Sequence, residues 1–347
     1  MKNFSRETYI PLTASKVEDL MRKEYINYLK ITDPYLLNGQ NYYVCKNVNM
    51  QLRTTLACQA NCKFCIEKTS ERTCLANTSK YLSALRASLE MLHTAGIRPT
   101  VTITGGEPLL IKDKFLGILD ILHEFGVRKF NLNTNGFLFS DDVLQKIAEI
   151  KMPHLNISRH HYDDAENQKI LGLENSTPYD IQHIKSIIGG KYGDNTRIRL
   201  QCCLIKDAIS DITSVKKYLD WVIDQGLDNV AFRGLSKLKE DAGNVSKETV
   251  DYCENNACDI FGLISDVAND PDFKLVAQNI SDHYTYEDWL YKGVVDVHFA
   301  YSDMDILEEY ELDELKKNEL YAREFVLYED NSFCGGWNKN FKTIKQY

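Results

Sequence analysis

The amino-acid sequence predicts an α/β fold: a partial (β/α)6 barrel of the TIM-like kind, with an N-terminal helical extension and a C-terminal α+β extension. Between about residues 49 and 235, short runs rich in β-branched residues alternate with amphipathic helical runs. Such strand-helix repeats require a parallel sheet with right-handed crossovers. Six units are two fewer than an eight-stranded barrel contains, so we expect the barrel to be open.

The six strands are expected where apolar runs end in polar segments, at Met50–Ala57, Thr100–Thr104, Lys129–Thr134, His154–Ser158, Arg197–Leu204 and Asn229–Arg233. Between them lie apolar residues at three- and four-residue steps, as from Leu82 to Leu92, in a helix that Ser79 is expected to cap. In such barrels the chemistry sits on loops at the C-terminal ends of the strands. The polar motifs of this sequence fall at those positions.

We divide the chain into an N-terminal extension, a barrel core and a C-terminal extension that covers the active site, at residues 1–48, 49–235 and 236–347. The first part contains a predicted helix around Ser15–Leu29 and a loop that carries Tyr42 and Tyr43. The last contains a predicted helix around Lys247–Val267, and its tail YEDNSFCGGW is expected to form a hairpin turn and return strand.

Composition and charge exclude several classes of protein. Lys and Arg total 41 against 50 Asp and Glu, which gives a formal net charge of −9. The sequence contains no stripe of basic residues of the kind that binds nucleic acid. The N-terminus lacks the apolar segment of a secretory signal, and no long apolar run indicates a membrane span. We therefore expect a cytoplasmic protein in which clustered cysteines, among the ten present, bind metal or catalyse.

Three cysteines lie together in the segment LACQANCKFCIE, with the spacing C-x3-C-x2-C at Cys58, Cys62 and Cys65. Soft thiolates suit zinc or an iron-sulfur cluster. A structural zinc ion requires a fourth ligand, for which Cys74 and His93 are the nearest candidates, although Cys74 follows a polar stretch and His93 falls on a predicted helix. A four-iron cluster on three thiolates would instead leave one iron open to a ligand. The spacing alone leaves both alternatives open.

The triplet, with the aromatic residue Phe64 before its last cysteine, resembles the signature of the radical S-adenosylmethionine (radical SAM) enzymes. The resemblance implies a [4Fe-4S] cluster on Cys58, Cys62 and Cys65, with S-adenosyl-L-methionine bound to the open iron through its amino and carboxylate groups. In that family, one electron from the reduced cluster cleaves the cofactor to a 5'-deoxyadenosyl radical, which abstracts a substrate hydrogen. It also implies a one-electron reductant, such as flavodoxin or ferredoxin, and places Phe64 near the adenine.

The segment TGGEP after the second strand is similar to the GGEP segment of the same family. Two glycines let a backbone approach another group closely, and a glutamate supplies an acceptor. The resemblance implies that Gly105, Gly106 and Glu107 hold the amino group of the cofactor. Taken alone, the segment would be an ordinary Gly-Gly turn before a helix, but Gly105 follows Cys65 by 40 residues, which is the family's order and spacing.

Two further strand ends continue the resemblance. NTNG, after the third strand, is similar to a segment of the molybdopterin-precursor cyclase-like branch, which implies that Asn133 reaches the cofactor. Ser158 and Arg159, at the end of the fourth strand, would lie near the cofactor's carboxylate or ribose. His160 and His161 either contact substrate or simply begin a loop.

The remaining cysteines support one cluster. Cys253 and Cys258 are five residues apart on a predicted helix and would not share a face, so we expect no auxiliary cluster of the SPASM or twitch kind. Adjacent Cys202 and Cys203 point to opposite faces of a strand and are expected to pack as small hydrophobes. Cys334 is the candidate catalytic residue, because a thiol near the active-site mouth would donate a hydrogen atom to a substrate radical; otherwise it is packed or a lone cluster ligand.

Two substrate classes remain, and a small polar biosynthetic molecule is favoured over a peptide that is epimerised or cross-linked. Peptide-modifying relatives often carry a leader-binding module of about eighty residues, whereas 48 residues precede the first predicted strand. Arg233 would bind an anionic substrate group or pair with a neighbouring carboxylate. The third alternative is a zinc-stabilised interaction protein without activity, against which the intact set of cysteine, Phe64 and GGEP motifs argues.

Overall fold

A computed structural model describes residues 12–28, 34–67, 77–189, 196–238, 245–281, 283–337 and 339–347. Cys74, one of the two candidates for a fourth zinc ligand, lies outside these residues. The described strands form a single thirteen-stranded sheet. They are β1 (Pro34–Leu37), β2 (Gln40–Arg53), β3 (Thr100–Thr104), β4 (Phe130–Thr134), β5 (His154–Ser158), β6 (Arg197–Leu204), β7 (Asn229–Gly234), β8 (Phe273–Ile280), β9 (Tyr284–Tyr291), β10 (Val295–Ser302), β11 (Leu320–Leu327), β12 (Ser332–Cys334) and β13 (Thr343–Gln346).

The helices of the described residues lie between these strands, together with a short 3-10 helix at Pro108–Ile111. They are α1 (Ala14–Tyr28), α2 (Thr78–Thr94), α3 (Lys112–Glu124), α4 (Asp141–Glu149), α5 (Asp164–Leu171), α6 (Ile181–Ile188), α7 (Ile212–Asp224), α8 (Lys247–Asn256), α9 (Ile260–Asn269), α10 (Met304–Lys317) and α11 (Lys339–Lys342). None of them is long and apolar enough to cross a bilayer.

The strand order across the sheet is β13-β12-β11-β2-β3-β4-β5-β6-β7-β10-β9-β8, with β1 paired to β2. The six strands β2 to β7 are adjacent and parallel, and a helix lies in each connection between them. The predicted α/β fold with a partial (β/α)6 barrel is therefore confirmed. The C-terminal part of the chain extends this barrel at both ends, because β10 pairs in parallel with β7 and β11 pairs in parallel with β2.

Most strand bounds agree with the sequence, and β2 differs most. β3, β5 and β6 have the predicted bounds, whereas β2 begins at Gln40. Tyr42 and Tyr43 therefore lie on a strand, and the expectation of a loop there is wrong. The first half of β2 pairs with β11, where Tyr42 lies opposite Leu320. β11 is far away in the sequence, but the same half of β2 also pairs with β1 across the Asn38–Gly39 turn, a local hairpin signal that the sequence analysis did not use.

Two helix predictions also need correction. Asn77, and not Ser79, caps α2, because its side chain accepts a hydrogen bond from the Lys80 amide at 2.9 Å. The single helix expected around Lys247–Val267 is two helices, α8 and α9, and the second begins after its own cap, Asp259. The tail does form the expected hairpin, with β11 and β12 antiparallel.

The barrel strands have one apolar face and one polar face, since side chains alternate along a strand. Apolar side chains such as Leu52 are buried and belong to the core that includes the helices. On the opposite face, Asn49 Nδ2 donates to Thr102 Oγ1 at 3.1 Å, and Asn156 Nδ2 donates to Asn133 Oδ1 at 2.8 Å. We use "polar face" for this surface, which by register comprises Asn49, Gln51, Arg53, Thr102, Asn131, Asn133, Asn156, Ser158, Arg199, Gln201, Cys203, Asn229 and Arg233.

Candidate active site

The three-cysteine loop follows β2 at the C-terminal edge of the barrel strands. Cys58, Cys62 and Cys65 are all half-buried, and none of the nine described cysteines forms a disulfide. The loop rests on the end of α5, where the Asn61 amide donates to the Leu171 carbonyl at 2.8 Å. Burial raises the pKa of the Cys62 thiol, and the neighbouring Cys65 and Cys58 add to this rise. Crowded thiols of this kind deprotonate when a metal centre supplies compensating positive charge.

The donor set fits an iron-sulfur cluster better than a single zinc ion. Across the described ranges, no three His, Cys, Asp or Glu side chains converge closely enough to hold one metal ion. His93, the other proposed zinc ligand, lies on α2, where its ring packs on Phe125 at 5.6 Å. A zinc site needs convergent ligands, whereas a cluster takes one thiolate per iron and so accepts thiolates that are spread apart.

Gly105 and Gly106 bring the end of β3 against the segment that leads into the cysteine loop. A Cβ at Gly106 would lie 2.1 Å from the Ala57 carbonyl oxygen, and one at Gly105 would lie 2.6 Å from that of Thr55. Gly105 also has a φ of +127°, which side chains rarely permit. The Gly106 and Glu107 amides donate to Thr55 and Ala57 at 2.7 and 2.8 Å. The close approach that these glycines allow is therefore to the chain's own backbone.

Glu107 lies below this contact, with 1% of its surface exposed. Its carboxylate accepts hydrogen bonds from Thr134 Oγ1 at 2.7 Å, the Asn135 amide at 2.8 Å and the Leu109 amide at 3.1 Å. Burial raises the pKa of Glu107 to about 7, against these hydrogen bonds, which lower it. The side chain thus joins the ends of β3 and β4 and keeps about one of its roughly four acceptor positions for a further donor.

The NTNG segment contacts the cysteine loop through a residue that the sequence analysis did not select. Asn135 Nδ2 lies 3.8 Å from Cys58 Sγ, and Asn135 Oδ1 accepts from Gln59 Nε2 at 3.0 Å. Asn133, the residue that the sequence analysis selected, lies two residues earlier, within β4. Its side chain is on the polar face and accepts a hydrogen bond from Asn156. Both residues belong to the same motif, so the motif indicated the contact but not which asparagine makes it.

Ser158 and Arg159 follow each other in the chain but point to different places. Ser158 ends β5 on the polar face, half-buried. The Arg159 guanidinium lies on the opposite side, 4.7 Å from the Trp221 ring of α7, and forms an ion pair with Asp164 at 2.6 Å. It also donates to the Tyr162 carbonyl at 2.7 Å. The structure therefore places Ser158 with the other site residues and packs Arg159 into the helix layer.

Phe64 lies in a cluster of side chains on the Cys62–Cys65 side of the loop. Its ring meets His160 edge to face at 5.0 Å and Tyr252 of α8 at 6.5 Å. Cys203 and the buried Cys253 belong to the same cluster. Helix α8, from the C-terminal extension, therefore covers this side of the cysteine loop.

Cys334 is fully buried, in β12. Cys334 lies opposite Val326 of β11, and Val326 lies opposite Gln51 of β2. Residues paired across strands point to the same face, so Cys334 is on the same side as Gln51 and the polar face, two strands from β2. Its Sγ is 3.5 Å from Thr343 Oγ1, and its neighbours include Tyr328. A role as hydrogen-atom donor remains a prediction, and it requires that substrate reach a thiol now enclosed by these side chains.

The sequence analysis missed a second polar group, on β9 and β10. His298 Nδ1 lies 2.6 Å from Asp288 Oδ1, and its Nε2 lies 3.2 Å from Tyr284 Oη. His298 is opposite Ala231 of β7, which places it on the polar face. The hairpin register that joins these side chains is set by pairing with β7, and no spacing in the sequence indicates it.

Two arginines lie beside this group on the polar face. Arg199 Nε donates to Asn229 Oδ1 at 2.7 Å. Arg233, at the end of β7, is exposed and forms no ion pair with a carboxylate of the described residues. Both charges act to lower the pKa of Tyr284, which burial nevertheless raises. The far part of the polar face is therefore positively charged and rich in hydrogen-bonding groups.

Comparison with protein families agrees with the site geometry. A model described as the radical SAM superfamily matches residues 52–197, which contain the cysteine loop and the ends of β2 to β5. GTP 3',8-cyclase of Haemophilus ducreyi is 27% identical over 197 residues, or 55% of this chain and 54% of that protein. GTP 3',8-cyclase of Synechococcus sp. is 25% identical over 131 residues, 37% of this chain and 36% of that protein.

The matched regions are only parts of these relatives. In molybdenum cofactor biosynthesis protein 1 of Dictyostelium discoideum, the match has 25% identity over 160 residues and spans 24% of that protein. Among solved structures, Streptococcus suis SuiB bound to its precursor peptide SuiA has a TM-score of 0.53 at 13% identity, over 83% of this chain and 59% of that one. SuiB bound to S-adenosylmethionine has a TM-score of 0.52 over 94% of this chain and 66% of that one. These likenesses show the fold.

An open parallel barrel with a three-cysteine loop at its C-terminal edge defines a class of cofactor-dependent enzymes. Residues 52–197 of this chain match the model of the radical SAM superfamily, and the motifs of that segment resemble those of the same family. Members of this superfamily use a [4Fe-4S] cluster and S-adenosyl-L-methionine. In this chain, Cys58, Cys62 and Cys65 would hold the cluster.

Proposed function

We propose that the chain is a radical SAM enzyme that acts on a small polar substrate. When bound, the [4Fe-4S] cluster supplies the electron that cleaves S-adenosyl-L-methionine to a 5'-deoxyadenosyl radical, which abstracts a hydrogen atom from the substrate. The observation that carries the proposal is the meeting of three strand-end segments, where Asn135 contacts Cys58 and Glu107 binds Thr134 and Asn135. One site thus gathers soft thiolates, a buried carboxylate and amide groups.

The residues of this chain have distinct tasks in the proposed reaction. Cys58, Cys62 and Cys65 hold the cluster, and Glu107 uses its remaining acceptor position for the cofactor's amino group. Ser158, on the polar face, is the candidate for its carboxylate or ribose. Cofactor binding therefore occupies the end of the polar face next to β2 to β5.

The rest of the polar face supports a small polar substrate. Arg199, Arg233 and the Tyr284–His298–Asp288 group lie one to four strands beyond Ser158. A surface that combines arginine side chains with hydroxyl and imidazole groups binds anionic or hydroxylated molecules and penalises apolar ones. The chain's net charge of −9 favours a partner other than nucleic acid.

The cleavage assay tests the proposal. The holoprotein is reconstituted anaerobically with iron and sulfide, then incubated with S-adenosyl-L-methionine and a strong reductant, with flavodoxin as the physiological alternative. We expect 5'-deoxyadenosine by mass spectrometry. The C58A/C62A/C65A variant should form none, whereas C45S, which changes a half-buried cysteine at the other end of β2, should retain the activity. Protein that holds zinc and forms no 5'-deoxyadenosine would contradict the proposal.

A peptide substrate is the second candidate, and one observation favours it. The SuiB structure whose fold matches 83% of this chain is a complex with a precursor peptide. The two candidates separate in the same assay, because substrate increases 5'-deoxyadenosine formation. GTP is the first small-molecule probe, since curated relatives are GTP 3',8-cyclases. Stimulation by peptides alone would favour the second candidate.

A further inference from the structure

His160 is fixed by the ends of two strands and by α5. Its amide donates to Asn167 Oδ1 at 2.7 Å, and its ring Nδ1 accepts a hydrogen bond from the Cys203 amide at 3.0 Å. Only 4% of the residue is exposed. The imidazole is therefore held rigidly at the mouth of the barrel, next to the cysteine loop.

The same contacts determine which ring nitrogen carries the proton. A backbone amide can only donate, so Nδ1 of His160 is an acceptor and the proton of the neutral imidazole lies on Nε2. This Nε2–H forms no hydrogen bond with the described residues, and it is not completely sealed from the surface. The donor therefore opens onto the surface of the site, where a bound group can supply its acceptor.

The ring lies on a particular side of the cysteine loop. It packs edge to face on Phe64, at 5.0 Å and 81°, and Phe64 is between Cys62 and Cys65 in the chain. Cys203, whose amide holds the ring, is near both cysteines: burial raises the pKa of Cys62 and of Cys203, and Cys203 and Cys65 respectively add to those rises. Asn135 is on the other side, against Cys58.

We propose that His160 Nε2–H donates a hydrogen bond to sulfur of the iron-sulfur cluster, on the Cys62–Cys65 side of the loop. This inference rests on the proposed function. Hydrogen bonds to cluster sulfur stabilise the reduced, more negative state and so raise the reduction potential. His160 is then a positioning residue that tunes electron transfer, and the bound group is an acceptor and not a cation, because a protonated nitrogen cannot ligate metal.

Two variants separate the donor from the packing of the ring. H160Q carries its N–H donor at about the distance of Nε2, whereas the shorter side chain of H160N reaches only the position of Nδ1, where its oxygen accepts from the Cys203 amide. We expect the midpoint potential of the reconstituted cluster, from an EPR-monitored redox titration without S-adenosyl-L-methionine, to shift downward in H160N and to stay near wild type in H160Q. H161N is the matched control, since His161 Nδ1 also accepts a backbone amide, from Asp163 at 3.0 Å.

A measurement on the unmutated holoprotein completes the test. With 15N-labelled histidine, the reduced cluster should show an exchangeable proton and a nitrogen coupling in ENDOR and ESEEM spectra, both lost in H160N. Their absence from wild type, equal potential shifts in H160N and H160Q, or an H160N effect on cofactor affinity alone would each overturn the inference. Protein that assembles no iron-sulfur cluster would overturn the proposed function as well, so the two failures are distinguishable.

Discussion

Glu107 is a single buried carboxylate that links stability to pH. The pKa of the folded-state carboxyl is about 7, above the ordinary value of 4.5, because burial outweighs the hydrogen bonds from Thr134, Asn135 and Leu109. The folded state therefore binds this proton more tightly than the unfolded chain. Its stabilising contribution is present below pH 4.5 and is lost as the pH rises through 7, by roughly 3 kcal/mol in total.

The E107Q variant tests this linkage, because glutamine does not titrate. We expect the unfolding free energy of wild type minus that of E107Q to fall by roughly 3 kcal/mol between pH 4.5 and pH 8, from urea unfolding of the cluster-free chain. D142N, which removes an exposed carboxylate, should show no such fall. Parallel pH curves for wild type and E107Q would mean that Glu107 has an ordinary pKa in the folded chain.

For some single residues, the sequence predicts the position along the chain but not where the side chain lies. The strand-end positions predicted from the sequence bring Cys58, Glu107 and Ser158 to one edge, because parallel strands end together. The orientation of the residue after a strand end follows from tertiary contacts: Arg159 turns to Trp221 in the helix layer, where no motif places it. Asn135 and not Asn133 meets Cys58 for the same reason.

At the scale of elements, Arg53 joins three segments at the mouth of the barrel. It ends β2, and its Nε lies 3.0 Å from Glu67 Oε2, past the cysteine loop, and 3.3 Å from Glu329 Oε2, after β11. Its guanidinium also lies 5.2 Å from the Tyr328 ring. All three charged side chains are largely buried. The loop and the C-terminal hairpin thus share one cation.

Removal of that cation should destabilise the chain strongly. R53Q leaves two buried carboxylates without a countercharge, for which we expect a loss of about 3 kcal/mol in unfolding free energy by urea denaturation. The triple variant R53Q/E67Q/E329Q should recover part of it, because no unpaired charge remains. R22Q, which breaks an exposed contact with Glu18 and Glu309, should cost less than about 1 kcal/mol. A loss in R53Q no larger than that in R22Q would show that the three segments are not joined electrostatically.

Elements differ in how far local sequence determines them. β3 and β5 have the predicted bounds because each is a short apolar run in which side chains alternate between a core face and the polar face. The first half of β2 was not predicted because its exposed positions carry no apolar alternation and one of its partners, β11, lies nearly three hundred residues later. Its other partner, β1, is joined to it by the Asn38–Gly39 turn, a local hairpin signal. Helices α8 and α9 share a continuous helical pattern, and the break at Asp259 follows from a cap within it.

At the scale of the whole molecule, the C-terminal extension closes both ends of the six-stranded barrel. β10 pairs along β7 and β11 pairs along β2, so neither outer barrel strand has an open edge. Phe299 of β10 and Phe325 of β11 are fully buried in the same core as the barrel helices. Unpaired parallel edges with apolar faces associate with other chains. The barrel core and the extension should therefore fold as one unit.

A truncation at the predicted boundary tests this unity. The chain of residues 1–235 exposes the edges of β2 and β7 and loses the apolar side chains of β10 and β11, so we expect it to aggregate or to lack a cooperative unfolding transition. A chain that ends at residue 342 loses only β13, a four-residue strand paired to β12, and should remain a folded species of native size. Size-exclusion chromatography and thermal unfolding followed by circular dichroism compare the two. If residues 1–235 behave as a soluble monomer with a cooperative transition, the barrel is self-sufficient and its edges are protected by something other than the extension.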